Sequence, residues 1–321
     1  MKEFSIIDNY FKKRSYQRKD VLIGIGDDCA VSSVAAGQQL AVTTDTLVKG
    51  VHFPEDAAAQ AIAHKAVAVN LSDLAAMGAE PAWINLSLSV PEVDENWLDA
   101  FSQGMRELCE YYSVQLIGGD TVQGPLSVTI TAMGFIPENQ ALTRSGAKPG
   151  DLLYVTGTLG DAALGLDVAL NRAEVPYQHR DYLTNRLHFP TPRVLAGTTL
   201  RRIATACIDI SDGTLAELGH LLRMSQCGAL LHVEKLPLSP AMMESTTPEK
   251  ALDYALAGGD DYELLFCVPE ELKGTLDRAL LHSNVPITCI GQMTGQAQKL
   301  EMQLNKQPFQ YERKGFEHFS G

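Results

Sequence analysis

The sequence predicts an α/β (α+β) protein of two domains. Three observations carry that reading: a length of 321 residues, about twice that of a typical domain; apolar strand-like segments alternating with helical ones in both halves; and a composition change between Pro137 and Gly150, where Pro, Gly, Asn and Ser replace the apolar pattern. The domains are placed at 1–140 and 148–321.

In chain order, Val21–Ile25 reads as a short strand running into Gly26-Asp27-Asp28, and Gln39–Thr46 as a second strand. From Asp56 to Met77 the chain is Ala-rich without internal Gly or Pro, with Asp56 as N-cap, Gly78 past the end and Pro81 beyond it, which predicts a helix. Ala82–Val90 alternates apolar and polar residues as a half-buried strand does. Asp94–Tyr112 places Trp97, Phe101, Met105 and Leu108 on one helical face, and strands follow at Val114–Ile117 and Leu126–Phe135. The second half opens with the strand Leu152–Thr156. Helices are then expected around 160–171, 181–187, 191–203 and 213–224, with strands near 205–210, 228–233, 262–268 and 286–292.

Lys and Arg number 26 against 39 Asp and Glu, giving a formal net charge of −13. That balance argues against a nucleic-acid partner, whose phosphates are held by Lys and Arg. No stretch reaches the ~18–20 apolar residues that span a bilayer, so no membrane partner is expected. Six cysteines without a C-x-x-C pair fit a reduced, cytoplasmic setting.

The acid is clustered. Asp27, Asp28, Asp45, Asp73, Asp120, Asp209, Asp212, Asp260 and Asp261 fall in six short motifs, read as turn-like junctions beside apolar segments: Gly26–Asp28, Thr43–Thr46, Asn70–Asp73, Gly118–Thr121, Asp209–Gly213 and Gly258–Asp261. Any one of these could be an ordinary turn, since Asp and Gly both favour turns. Converging carboxylates repel by ~4 kcal/mol per pair at about 4 Å and an effective dielectric of about 20, so several together require a cation. Hard oxygen ligands select Mg²⁺ or Ca²⁺, and Mg²⁺ commonly shares its shell with phosphates. Asp73 lies on a helical stripe with Ile62, Ala66 and Val69, an apolar face where a carboxylate needs a partner. There is no Gly-Lys dipeptide, which excludes a P-loop, and Gly24-Ile25-Gly26 continues into two aspartates rather than a dinucleotide fingerprint. Arg144, in Thr-Arg-Ser-Gly between the domains, is a cation that could cover a polyphosphate.

These motifs, together with Gly24–Ala30, Thr43–Phe53, Asn70–Gly78, Ile117–Thr121, Leu142–Gly146, Gly258–Leu264 and Gly315–Phe319, resemble in order and over nearly the whole chain those of the thiamine-monophosphate kinases. The resemblance implies a two-domain aminoimidazole-ribonucleotide-synthetase-like fold. Its N-terminal domain would bind ATP and Mg²⁺ and form the interface of a homodimer, and its C-terminal domain would complete the active-site cleft. It implies a phosphotransferase reaction, ATP and thiamine monophosphate to ADP and thiamine diphosphate, with Mg²⁺ as cofactor. Carried over by position, Asp28, Thr43, Thr44, Asp45, Asp73, Asp120, Asp209 and Asp212 would hold Mg²⁺. Gly119, Asp120, Arg144, Ser211 and Tyr112 would contact ATP, and His52, Asp260 and Phe316 thiamine monophosphate. The family pattern has Glu where this chain has Asp260, one methylene shorter. No general base is expected, because the attacking phosphate oxygen is already ionised. A non-catalytic acidic metal-binding protein is the alternative from another class; it predicts cation binding without ATP turnover.

Overall fold

In the computed structural model, which describes residues 3–312 apart from 14, 282 and 284, the chain divides into two units, Met1–Leu74 with Ala79–Asn139 and Ala75–Gly78 with Gln140–Gly321. In the first unit, α1 (Glu3–Ile6) continues into a π-helical turn (Ile7–Lys12), and β1 (Val21–Ile23) pairs with β2 (Val31–Ser32) as an antiparallel ribbon. The main sheet contains β3 (Gln38–Val48), β4 (Glu80–Val90), β5 (Gln115–Gln123) and β6 (Ser127–Pro137) in the order β3-β6-β4-β5. All pairs are antiparallel except β4 with β5. That parallel pair needs a crossover, which α3 (Glu95–Tyr111) supplies. Asp94 caps α3 by accepting from the Asn96 and Trp97 N–H groups, and Leu98, Phe101, Met105 and Leu108 form its buried face.

The Ala-rich helix α2 (Ala59–Ala76) is buried on nearly every side, which its small side chains permit. It begins three residues after the expected Asp56 cap. Pro54 instead closes a turn by accepting from the Ala57 N–H, so Asp56 stays outside the helix. The polar groups that α2 buries are satisfied: Lys65 Nζ donates to the His52 carbonyl at 3.0 Å, and Asn70 Nδ2 to the Ala66 carbonyl at 3.0 Å.

The second unit contains β7 (Leu152–Thr156), α4 (Asp161–Ala169), α5 (Tyr177–His188), α6 (Val194–Leu200), β8 (Ala206–Asp209), α7 (Thr214–Ser225), β9 (Gly228–His232), α8 (Pro240–Ser245), α9 (Pro248–Ala257), β10 (Leu264–Val268), α10 (Lys273–Ala279), β11 (Ile287–Thr294), β12 (Leu300–Leu304) and β13 (Gln307–Pro308). Its seven strands run β13-β12-β9-β11-β7-β10-β8, and only β9 and β12 are parallel. Leu153, Val155, Ile208 and Leu265 of the sheet pack with Leu218, Leu221 and Leu222 of α7 in one core. A second core joins Leu164, Val168 and Leu183 to Met242 and Ala251. Among the described residues no helix is long and apolar enough to cross a membrane.

Candidate functional site

Three of the six acidic motifs are not turns. Thr43–Thr46 lies within β3, Asn70–Asp73 within α2 and Gly118–Thr121 within β5. Only Gly26–Asp28, Asp209–Gly213 and Gly258–Asp261 lie outside regular elements or at their ends. Expecting a strand to stop at Ile117 treats the glycine pair as a breaker. The pair instead follows a bulge, where Ile84 faces Leu116 and Asn85 faces Gly118. Gly119 sits at φ +148° with the Leu86 carbonyl so near that an added Cβ would lie 1.8 Å from its oxygen, so no other residue fits.

In the first unit, strand alternation sorts the hydroxyls. Thr43 Oγ1 donates to Asp73 Oδ2 at 2.5 Å, which gives the half-buried Asp73 the partner its place on α2 demands. Two residues on, the Asp45 N–H donates to Asn70 Oδ1 at 3.1 Å, tying the edge strand β3 to the same helix. The Thr44 hydroxyl lies on the opposite face, 2.9 Å from that of Thr131, and Thr46 pairs likewise with Thr129 at 2.8 Å. Asp28 and Asp120 are exposed. The Asp28 N–H donates to Asp27 Oδ1, and Asp120 Oδ1 accepts from the Thr121 N–H, both at 2.9 Å. His52 Nδ1 accepts from the Val48 N–H at 3.0 Å, so the neutral ring carries its proton on Nε2. Tyr112 follows α3 with its ring edge-on to Tyr111 at 4.8 Å.

In the second unit, Asp209 is buried at the end of β8. Beyond it, Ser211 Oγ and the Asp212 N–H both donate to Glu217 Oε1, at 3.0 and 3.4 Å. Burial pushes the Glu217 carboxyl up, while the Ser211 and Asp212 hydrogen bonds and the charge of Arg144 work the other way. Arg144 also acts on His220, and its carbonyl accepts from Ser225 Oγ at 3.0 Å, so Arg144, Ser211 and Asp212 share the surroundings of α7. Arg223 donates to His220 Nδ1 at 2.6 Å; burial, then Arg223 and Arg144, lower the pKa of that ring. Glu217, His220 and Arg223 are absent from the expected site. The signal for them is their spacing of three along one helix, directly after the Asp209–Gly213 motif.

Asp260 takes a left-handed conformation (φ +68°). Its N–H donates to the Ser211 carbonyl at 2.8 Å, and its Oδ1 accepts from the Tyr262 hydroxyl at 3.1 Å. Beneath this turn, Glu263 is fully buried. It accepts from Arg193 Nε at 2.6 Å, Arg193 Nη2 at 2.5 Å, Arg186 Nη2 at 3.0 Å and Thr156 Oγ1 at 2.7 Å. Burial alone would raise the Glu263 pKa, but Arg193, with Arg186 and Thr156, outweighs it and holds the carboxyl below its usual range. Asp261, also buried, accepts from the Gly160 N–H at 2.7 Å, and its Oδ1 has no hydrogen-bond partner. Burial pushes its pKa well above 3.8, against the pull of Arg186. The native state therefore keeps a proton that the unfolded chain releases above its ordinary carboxylate pKa, so this group costs stability as pH rises through that window. Asp261→Asn, whose amide oxygen can still accept from Gly160, should gain melting temperature relative to the parent as pH rises above the ordinary carboxylate range. A difference that stays flat with pH in thermal unfolding would contradict the assignment. Phe316 lies outside the described residues.

The donors expected to hold a cation are all oxygens, the chemistry Mg²⁺ prefers. Among the described residues no three His, Cys, Asp or Glu side chains converge to hold a metal by themselves. The several converging carboxylates from which the sequence argues for a cation are therefore not found among the described residues, where Asp73 has the Thr43 hydroxyl beside it.

Residues 26–136 match the N-terminal domain of AIR synthase related proteins, and residues 148–303 the C-terminal domain. The chain is 51% identical to thiamine-monophosphate kinase of Escherichia coli (strain K12) over 319 residues, 99% of this chain and 98% of the relative. Among solved structures it is similar to thiamine-monophosphate kinase from Stenotrophomonas maltophilia K279a, at 43% identity and a TM-score of 0.87 over 96% of this chain and 98% of that one. It is also similar to AaThiL complexed with AMPPCP and TMP, at 32% identity and a TM-score of 0.77 over 99% and 97%. With both domain matches in order and this identity along its whole length, the chain belongs to the AIR synthase related family and, within it, to the thiamine-monophosphate kinases.

Proposed function

We propose that the protein transfers the γ-phosphoryl group of ATP to thiamine monophosphate, giving ADP and thiamine diphosphate. The observation that carries this reading is the likeness, over 99% of the chain, to a relative complexed with AMPPCP and TMP. The nucleophile is an oxygen of the substrate phosphate, largely ionised near neutral pH, so no side chain needs to remove a proton. That oxygen bonds to the γ-phosphorus in line as the bond to the β–γ bridging oxygen breaks and its electron pair leaves with ADP. The difficulty is bringing two anions together. Arg144 contributes fixed positive charge, with Ser211, Gly119, Asp120 and Tyr112 placing the nucleotide. His52, held by the Val48 N–H on Nδ1, contacts thiamine monophosphate in this reading together with Asp260 and Phe316. Asp28, Thr43, Thr44, Asp45, Asp73, Asp120, Asp209 and Asp212 would hold Mg²⁺, which when bound screens the polyphosphate charge. The Thr44 side chain faces away from Asp73, so of the two threonines Thr43 is the better-placed hydroxyl.

In this reading 1–140 supplies ATP and Mg²⁺ contacts and the homodimer interface, and 148–321 supplies the rest of the site. The dimer is supported by the outer face of the first sheet, where Leu40, Val42 and Val48 are exposed beside the paired threonines of β3 and β6. The cytoplasm suits its six free thiols.

Purified protein given ATP, Mg²⁺ and thiamine monophosphate should form thiamine diphosphate, read as thiochrome fluorescence, and should stop when EDTA removes the metal. ATP or cation binding without product would favour the non-catalytic alternative. Recovery of ³²P-labelled protein from γ-labelled ATP would rule out direct transfer.

A further inference from the structure

The turn 258–263 contains two strained residues close together. Asp260 and Tyr262 are both left-handed, at φ +68° and +50°, a conformation that side chains other than glycine adopt only where their surroundings impose it. The surroundings here do so at three levels. The main chain is stitched to the end of β8 by the Asp260 N–H on the Ser211 carbonyl, the Tyr262 N–H on the Ile210 carbonyl and the Ile210 N–H on the Glu263 carbonyl. The Glu263 carboxylate is clamped by Arg193 through two nitrogens and by Arg186 through a third, and it fills the space where Gly157 would carry a Cβ, 2.1 Å from Oε1. From this fixed base the buried Tyr262 sends its hydroxyl back to Asp260 Oδ1. A buried bidentate pair is a costly way to gain stability alone, and its best-attested benefit is a single defined geometry. Here the geometry it defines is the position of one carboxylate.

We propose that Tyr262 and Glu263 are positioning residues for substrate binding, Glu263 locking the turn to Arg193 and Tyr262 aiming the Asp260 carboxylate. This rests on the reading above that Asp260 contacts thiamine monophosphate. It also gives the shorter Asp260 a defined orientation from Tyr262 in place of the reach of Glu.

The test is steady-state kinetics of thiamine diphosphate formation with Tyr262→Phe, Glu263→Gln, Asp260→Asn and the double variant Asp260→Asn/Tyr262→Phe, each checked for fold by far-UV circular dichroism. Tyr262→Phe should raise KM for thiamine monophosphate about tenfold, with kcat within about twofold and KM for ATP unchanged. Glu263→Gln should raise the same KM. The double variant should be no worse than Asp260→Asn alone, because in this proposal the hydroxyl acts on substrate binding through that carboxylate. A raised KM in Asp260→Asn with a parental KM in Tyr262→Phe, or effects that multiply in the double variant, would overturn the positioning role and leave the Asp260 contact standing. A parental KM in Asp260→Asn would remove the contact and the proposal together. Absence of thiamine diphosphate from the parent protein would defeat the functional reading itself.

Discussion

Asp73→Asn is expected to leave the protein folded and to lower kcat by about a thousandfold or more, the scale on which loss of a preorganised charge at a phosphoryl-transfer site is felt. The substitution removes the charge and keeps the shape of the side chain. The amide oxygen of Asn can accept the Thr43 hydroxyl as Asp73 Oδ2 does, and the Asn70 bond to the Asp45 N–H that holds β3 against α2 is untouched. Removing a charge from a helix that is otherwise buried should not cost stability. The circular dichroism spectrum and melting temperature should therefore match the parent while thiochrome fluorescence does not. More than about a tenth of parental turnover in Asp73→Asn would take this residue out of the metal-holding set.

Gly119→Ala is expected to destabilise the first unit by about 3 kcal/mol or more and to lower activity with it. An added Cβ would lie 1.8 Å from the Leu86 oxygen, 2.7 Å from its carbonyl carbon and 2.9 Å from its nitrogen, all backbone atoms that no rotamer change can move. Relief requires β5 to part from β4, displacing Asp120, the next residue. Gly118→Ala is the internal comparison: its Cβ would meet only the Asn85 side-chain oxygen at 3.2 Å, which can yield by a few tenths of an ångström. Urea unfolding of the two variants measures the contrast, and equal midpoints would mean that the close approach of Leu86 is absent.

The legible parts of the sequence were those governed by periodicity and composition. The strand Ala82–Val90 alternates cleanly, the helix after Asp94 has both an apolar stripe and a cap, and Leu152–Thr156 is an uninterrupted apolar run. What escaped had a local signal pointing the other way. Helices α8 and α9 open with Pro240 and Pro248 behind the capping residues Ser239 and Thr247, so their first turns look like loop. The Gly118–Asp120 motif reads as a turn because its residue types favour turns. It lies in a strand because the close approach of the Leu86 backbone fixes it there, whereas Thr43–Asp45 falls inside the strand expected over Gln39–Thr46. The motifs themselves were legible, whereas the division of labour within them was not. That Asn70 serves the fold while Asp73 faces Thr43, or that Thr43 and Thr44 look opposite ways, follows from strand register, which the sequence leaves open.

The strand order of the first sheet also dictates when its site can exist. β6 lies between β3 and β4, and its pairing joins Gln38 to Pro137 at the far end of the unit. A growing chain has synthesised Thr43, Asp45 and Asp73 long before it has made the strand that connects β3 to the rest of the sheet. These early residues therefore acquire their final geometry late, after a long loop closure of the kind that slows folding. Before Ser127–Pro137 has emerged, β3 is a strand with no sheet to join. A ligand that needs the finished geometry can stabilise the completed unit but cannot template the unfinished one.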